Sequence, residues 1–344
     1  MLQAKQDEET RKIQFTGGST YIISLPKNWV SQNQLKKGSF IRLRSEESGL
    51  LTIVPPSSAV QKRLDEAIIL VSPNDDTEMI ERKIVSSYLA GYNSIHIKPV
   101  KQLSTTQRHD IKLFVRRMLV GTEIVTDTFS QLILQVLLSY PELTIQSALR
   151  RMCIIATSMH KDAIMGLKTS DIPLAKEVIS TDNEVDRFDL YVTRLLRTAL
   201  QNPRLTKEIG LESSNDCLAY RIIIKSVERA ADHAVKIAEN VLALKHELDN
   251  STFEKIEKMS GMAIKKFGNS MESLFRRDYK TADAIIESIR EIDALEEEAI
   301  VSSQLDVEDG AVLRLIIESI RRTAEYASDI SEIVLNLTVD SILV

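Results

Sequence analysis

Four carboxylates occur as two pairs with the same spacing. Asp182 and Asp186 form the first pair, and Glu228 and Asp232 form the second. On an α-helix, residues four positions apart are rotated by only about 40° from each other, so the members of a pair point from one face. Two such pairs on neighbouring helices could hold a cation between them.

The second pair lies in a stretch with a wide apolar stripe at helical spacing, which predicts a helix that faces a core. The stripe consists of Leu218, Ile222, Ile223, Val227, Ala230, Ala231, Ala234, Val235, Ala238 and Val241. A polar row runs beside it, with Arg221, Lys225, Glu228, Asp232 and Glu239. That row has an alternative interpretation, a solvated helix face with ion pairs between successive turns.

Length and composition bound the fold. The chain has 344 residues and a net charge of −5, enough length for two or three domains. No run of 18 consecutive apolar residues occurs, and the first residues lack an apolar signal region. We therefore expect a cytoplasmic protein without membrane insertion. Cys153 and Cys217 lie in apolar helical surroundings and are expected to be buried thiols.

The N-terminal stretch is basic. Residues 10–45 contain no Asp or Glu and seven cations, which are Arg11, Lys12, Lys27, Lys36, Lys37, Arg42 and Arg44. Alternating apolar residues around a Gly17-Gly18 turn predict a hairpin, Pro26 predicts a short helix after it, and two more strands follow Gly38. Four strands in so short a segment bury too little surface for a monomer, so interleaved dimerisation is expected.

This stretch resembles the SpoVT/AbrB swapped-hairpin DNA-binding family. The matching pieces are the basic pair before the first strand, the Gly-Ser turn, the apolar-Pro dipeptide and the Gly before the third strand. The resemblance implies that Arg11, Lys12, Lys27 and Arg42 contact DNA in a homodimer. Val30 and Ser31 stand where some members place two arginines, which favours phosphate contact over base reading. An alternative role is a dimerisation clip or an antitoxin-like binder of another protein.

Residues 57–139 alternate between strand and helix patterns in the order β-α-β-α-β, which predicts a small sheet with helices packed on it. His96 and His109 have no partner at catalytic spacing and are expected to be structural or surface residues. No nucleotide-binding glycine signature and no nucleophile elbow occurs in the sequence. We therefore predict no catalytic residues.

The C-terminal half contains an internal repeat. Residues 171–186 align with residues 278–293 at an offset of 107, and Arg221 aligns with Arg314 at an offset of 93. Each copy predicts a helix, a short turn, a second helix, a loop and a third helix. Two stacked copies make a six-helix array.

These repeats resemble the PhoU family of phosphate-uptake regulators. The resemblance rests on the turn residues Asp171 and Asp278, on the acidic-apolar-Asp runs that follow them, and on Glu228-Arg-Ala-Ala-Asp232. With its basic module, the chain resembles the archaeal type of PhoU-related regulator that carries its own DNA-binding domain.

The resemblance implies a metal cluster, commonly iron or zinc, on Asp182, Asp186, Glu228 and Asp232. Hard carboxylates also accept magnesium or manganese. Asp189, one turn further on, is a possible fifth ligand. Without an ion, the carboxylates would need pairing to Arg221, Lys225 or Arg229.

The second copy departs from this ligand set. Ile289 stands opposite Asp182, and Arg321 stands opposite Glu228, so that only Asp293 and Glu325 remain. Arg321 places a cation where the first copy has a ligand. We therefore expect an internal ion pair there instead of a metal.

We predict a multidomain α+β chain. It comprises a swapped-hairpin DNA-binding domain at 1–56, an α/β connector at 57–139 and PhoU-like three-helix repeats at 140–248 and 249–344. The predicted function is transcriptional regulation of phosphate uptake, with the helical repeats as sensor. One alternative is an adaptor that binds a phosphate transporter or a signalling kinase. Another is a metal-dependent enzyme, which we disfavour because Ala230 stands where a di-iron Glu-x-x-His motif ending at His233 needs Glu.

Overall fold

The computed structural model describes residues 10–45, 49–55, 66–138, 143–201, 203–302 and 307–343. The chain divides into two compact units, residues 1–64 and residues 65–344. The predicted domain boundaries at 56/57 and 139/140 lie outside the described residues.

The first unit contains two hairpins and one short helix. Strands β1 (Gln14–Thr16) and β2 (Thr20–Ile22) pair antiparallel, as do β3 (Arg42–Ser45) and β4 (Leu51–Val54). Helix α1 (Lys27–Gln32) lies between the hairpins in sequence. Gly17 and Gly18 form the first turn at φ values of 61° and 77°, which glycine adopts without steric cost. The hairpin and helix predicted for this stretch are present.

The connector is an α/β layer. In chain order it comprises β5 (Glu66–Val71), α2 (Thr77–Ala90), β6 (Ser94–Pro99), α3 (Thr105–Met118), β7 (Thr122–Asp127) and β8 (Leu132–Val136). The strand order is β5-β6-β8-β7. Asp76 caps α2, and Ser104 with Gln107 forms a capping box at α3, so both helices begin where short polar side chains satisfy backbone N–H groups.

The connector contains one strand, β8, that the sequence did not predict. Its residues 132–136 form an apolar run without a clear alternation that would separate a strand from a loop. In the structure β8 lies between β6 and β7 and pairs antiparallel with both. Its Leu132, Leu134 and Val136 are buried under α2 and α3, so tertiary burial determines this strand.

Long helices form the remainder. The first copy comprises α4 (Ile145–Thr169), α5 (Ile172–Gln201), α6 (Pro203–Glu208) and α7 (Asp216–Ala243). The second comprises α8 (Asn250–Arg276), α9 (Tyr279–Glu287), α10 (Glu291–Ser302) and α11 (Val307–Thr338). One hydrophobic core spans both copies, and the third helices α7 and α11 pack against each other. No helix within the described ranges combines the length and apolar character of a membrane span.

Two local details differ from the expected repeat. The short helix α6 occupies the loop of the first copy, and a 3-10 turn at Ser288–Arg290 divides the second helix of the second copy. At that turn the Lys266 ammonium donates to the Ser288 carbonyl at 2.8 Å and to Glu291 Oε2 at 3.2 Å. A lysine from α8 therefore satisfies backbone and side-chain acceptors at the break.

Two residues assigned to the apolar stripe of α7 are not in the core. Leu218 and Ile222 are exposed, whereas Ile223, Val227 and Ala231 are buried. Cys217, Tyr220 and Ile224 from the same turns are buried, so Leu218 and Ile222 lie on the outer face of a packed helix. The predicted stripe is therefore wider than the face of α7 that contacts the core.

Arg194 joins the helical repeats to the connector. It lies on α5, is only 1% exposed, and stacks on the Tyr88 ring with 4.8 Å from the guanidinium carbon to the ring centroid. Its guanidinium donates to the carbonyls of Tyr88 and Gly91 and, at 2.9 Å, to Asn93 Oδ1. These acceptors lie at the end of α2, where helix carbonyls need donors.

Replacing this donor set should destabilise the second unit. We expect Arg194→Met to lower the free energy of unfolding by about 2–3 kcal/mol, because the side-chain stem stays while buried acceptors lose their donors. Arg197→Met, an exposed arginine on the same helix, is the matched control and should change little. Urea unfolding followed by circular dichroism measures both. Equal effects of the two substitutions would show that Arg194 does not hold the connector.

Candidate functional site

The acidic site lies where α5 packs against α7. Asp182, Asp186 and Asp189 lie along α5, on successive turns of one face. Glu228 and Asp232 lie on α7, where Glu228 is buried. The apolar periodicity that packs these helices together also brings their acidic edges side by side.

Burial and mutual repulsion raise the pKa values of this cluster. The pKa of Asp182 is raised to about 7, first by desolvation and then by the charges of Asp186, Asp232 and Glu228. The pKa of Asp186 is raised to about 6 by desolvation, followed by repulsion from Glu228 and Asp232. Desolvation also raises the pKa of Asp232, with Glu228 as the next cause. The two pairs are therefore close enough to repel each other electrostatically.

Two cations neutralise part of this charge. The Lys225 ammonium donates to Glu228 Oε1 at 2.5 Å, and Arg221 Nη1 lies 3.3 Å from Asp189 Oδ1. Asp182 Oδ1 and Glu228 Oε2 are nevertheless buried without a hydrogen-bond partner. Burying a carboxylate oxygen without a hydrogen-bond donor costs free energy, so a further positive group beside these oxygens would be stabilising.

The carboxylate oxygens of this cluster are suitable ligands for a cation, but their present positions do not surround a single site. In the described part of the chain, no three His, Cys, Asp or Glu side chains are arranged to hold one metal ion. Burial and then mutual repulsion raise the pKa of Asp182, and a positive charge beside the two partnerless oxygens would oppose that repulsion. A hard cation thus suits this donor set, but binding it requires the carboxylates to turn towards each other.

The second copy neutralises its acids internally, as the substitution at Arg321 predicts. Arg321 forms ion pairs with Glu296, at 3.5 Å, with Glu318, at 2.8 Å, and with Glu325. Glu325 also pairs with Arg322. In the second copy the positive charge is thus supplied by an arginine side chain, at the position that corresponds to Glu228.

Sequence reasoning missed a buried polar layer between the copies. His160 on α4 is buried, with Nε2 3.0 Å from Ser260 Oγ and Nδ1 3.4 Å from Thr323 Oγ1. His233 on α7 is buried against the Tyr326 ring. Burial lowers the pKa of each imidazole to about 4. The position of His160 on the apolar stripe of α4, between Met159 and Ala163, was the available signal.

The four residues expected to contact DNA are all exposed. Arg11 and Lys12 precede β1, Lys27 begins α1, and Arg42 begins β3. All four lie in the first unit, which contains no acidic side chain from Thr10 to Ser45. Exposure is what phosphate contact requires.

The fold defines the class of the protein as a two-repeat helical body with a small β module. A model of the PhoU domain matches residues 149–241 and 256–334, which together make half of the chain. The chain therefore belongs to the PhoU family. A model described as "Antidote-toxin recognition MazE, bacterial antitoxin" matches residues 14–61 and agrees with the swapped-hairpin resemblance of the β module. These matches fit a regulator of phosphate homeostasis.

Individual proteins are similar over part of the chain. A "Phosphate-specific transport system accessory protein PhoU homolog" of Borreliella burgdorferi is 29% identical over 142 residues, which cover 39% of this chain and 61% of that protein. The chain thus spans about three fifths of the length of that relative.

Two solved structures are also similar. PhoU of Streptococcus pneumoniae has a TM-score of 0.49 at 18% identity and covers 58% of this chain and 96% of its own. PhoU of Pseudomonas aeruginosa has a TM-score of 0.49 at 16% identity and covers 57% and 96%.

The raised pKa of Asp182 predicts a pH-dependent effect of removing its charge. The pKa of Asp182 is 3.8 in an unfolded chain and about 7 in the folded protein. Its contribution to stability is therefore fully present below pH 3.8 and is lost as the pH rises through about 7. In a buffer with chelator, Asp182→Asn should therefore raise the free energy of unfolding by about 1–2 kcal/mol near pH 8 and by little near pH 4, after discounting for partial exposure.

Glu184→Gln is the control for this measurement, because Glu184 is exposed on the same helix. Urea unfolding of both variants at the two pH values measures the difference. The same gain from Asp182→Asn at both pH values would contradict a repulsive cluster.

Proposed function

We propose that this protein is a DNA-binding transcriptional regulator of phosphate uptake. The proposal is carried by one observation, the union of an acid-free basic β module with a PhoU-family helical body in a single chain. The basic module supplies phosphate contacts, and the acidic body supplies the sensor. The role is regulatory and not catalytic.

The exposed apolar side chains of the first unit support a homodimer. Among the described residues these are Ile13, Phe15, Tyr21, Ile22, Ile23, Phe40, Leu43, Leu50 and Leu51. Phe15 and Tyr21 face each other across the first hairpin with ring centroids 5.0 Å apart. So many exposed apolar side chains on so small a unit favour a second copy that covers them.

DNA binding by the full-length dimer should depend steeply on salt. Each phosphate contact contributes about 0.9 to the slope of log Kobs against log salt concentration. Arg11→Ala with Lys12→Ala removes four charges from a dimer and should reduce the slope by about 3–4, with similar loss on unrelated sequences. Fluorescence anisotropy with labelled duplexes over a salt series measures it.

Lys161→Ala with Lys176→Ala is the matched control, because it removes the same charge from exposed positions on α4 and α5. This control should keep the wild-type slope. Binding that ignores salt, or equal loss in both double variants, would reject DNA contact through the β module.

The helical body is proposed to sense a metal ion at the first copy. Asp182, Asp186, Glu228 and Asp232 would hold it, with iron, zinc, magnesium and manganese as the candidates. Such an ion would supply positive charge to buried carboxylate oxygens. The partnerless Asp182 Oδ1 and Glu228 Oε2 support this proposal.

Metal addition should stabilise the wild-type protein and not a variant without the cluster. At an ion concentration of about 100 times Kd, binding raises the free energy of unfolding by about 2.7 kcal/mol. Asp182→Ala with Asp232→Ala should lose this gain. Glu184→Ala with Glu239→Ala, at exposed positions on the same helices, should retain it.

Thermal unfolding with each ion and elemental analysis of the purified proteins measure this. Equal metal content in both double variants would place any metal elsewhere.

A second candidate function is an adaptor without DNA binding, which acts on a phosphate transporter or a signalling kinase. The name of the Borreliella burgdorferi relative, a transport system accessory protein, favours it. Under this alternative the Arg11 and Lys12 double variant regulates phosphate uptake normally in cells. Loss of regulation in that variant supports the DNA-binding function instead.

A further inference from the structure

Strand β5 is an edge of the connector sheet with an apolar outer face. Among the described strands it pairs with β6 alone. Ile69 and Val71 point into the connector core, whereas Ile68 is 59% and Leu70 is 65% exposed on the opposite face. An apolar edge strand of six residues is a template for pairing with another strand.

The rest of that sheet face is more polar. The pairing register places His96 beside Ile68, and His96 Nε2 lies 3.0 Å from Ser94 Oγ. Gln135 and Glu123 lie opposite each other on the next two strands. Val125 on β7 is also exposed, at 56%, but it stands alone between Glu123 and Asp127, whereas β5 carries two neighbouring exposed apolar residues on this face. This favours pairing at the β5 edge over stacking of another sheet on the face.

A groove runs beside β5. It has a volume of about 520 Å³ and is lined by residues from β5 and α2, among them Ile68, Leu70, Met79, Arg82, Lys83 and Ser86. The Lys83 ammonium reaches the Leu70 carbonyl at 3.4 Å. The groove thus combines apolar side chains with a positive charge at the far end of the strand.

Charge along α2 favours a second copy as the occupant. Glu78 and Arg82 are exposed one turn apart, 3.3 Å from each other. When two copies of a helix meet antiparallel across a twofold axis, an acid and a base in this order can each face the opposite charge. The neighbouring Lys83 is paired with Asp75 Oδ2 at 2.7 Å within its own copy.

We propose that β5 pairs antiparallel with β5 of a second copy and joins two four-stranded sheets into one. Residues opposite each other must share a sheet face, so Ile68 lies opposite Ile68 on the twofold axis and Glu66 lies opposite Leu70. The inference rests on the proposed homodimer, whose N-terminal modules bring the two copies together. It gives the connector a dimer contact that is separate from the contact between the N-terminal modules.

Disulfide formation in the full-length protein tests this register. Ile68→Cys places two thiols on the axis, where opposite Cα atoms about 4.5–5.5 Å apart allow a disulfide. We expect mild oxidation to convert most of this variant to a covalent dimer on non-reducing gels. Leu113→Cys, with 53% exposure at that position on α3, is the control and should remain unlinked. The wild-type protein gives the background from Cys153 and Cys217.

Light scattering on the same samples separates this inference from the proposed dimer. A dimer that forms no disulfide through position 68 overturns the β5 contact and leaves the N-terminal dimer standing. A monomer overturns both. Equal linkage of the Leu113 variant indicates random collision and overturns the contact, as does oxidation in cells that links position 68 to a chain of different mass.

Discussion

Burial of like charges between α5 and α7 is the constraint on which the helical body depends. Packing these helices together buries apolar stripes, and it also forces Asp182 and Asp186 towards Glu228 and Asp232. The second copy meets the same constraint with Arg321, which pairs with acids from α10 and α11. In the first copy Lys225 pairs with Glu228 and Arg221 pairs with Asp189, but Asp182 keeps a buried oxygen without a donor. One copy is therefore internally neutralised, whereas the other keeps buried carboxylates that repel one another.

The sequence predicted most of the fold because its helices are long and strongly periodic. Capping residues fixed the starts of α2 and α3 as expected. The 3-10 turn at Ser288–Arg290 could not be predicted, because its acceptors are satisfied by Lys266 from a helix that is distant in sequence. Strand β8 escaped prediction for a related reason, since a short apolar run becomes a strand only when neighbouring strands pair with it. Local patterns carry no information about such partners.

The candidate site was predictable in part. Spacing of four residues determines that two carboxylates share a helix face, but convergence of two helices on those faces depends on packing. Whether Lys225 or a metal would neutralise the cluster depends on side-chain orientation. Residue spacing carries no information about that orientation. Likewise, His233 follows the candidate ligand Asp232 in sequence and points instead to Tyr326 and the buried layer around His160.

Charge distribution favours the proposed DNA-binding role of the β module over a dimerisation clip. A dimerisation clip needs apolar contact and has no use for cations, yet residues 10–45 carry seven of them and no acid. The whole chain has a net charge of −5, so the remaining residues are acidic and are repelled by nucleic acid. The proposed attraction to phosphate is therefore strongest at the module, and its exposed apolar residues favour the proposed second copy. Both demands are met when two modules share one apolar interface and leave their cations outside, because the cationic surface then doubles without any contribution from the helical body.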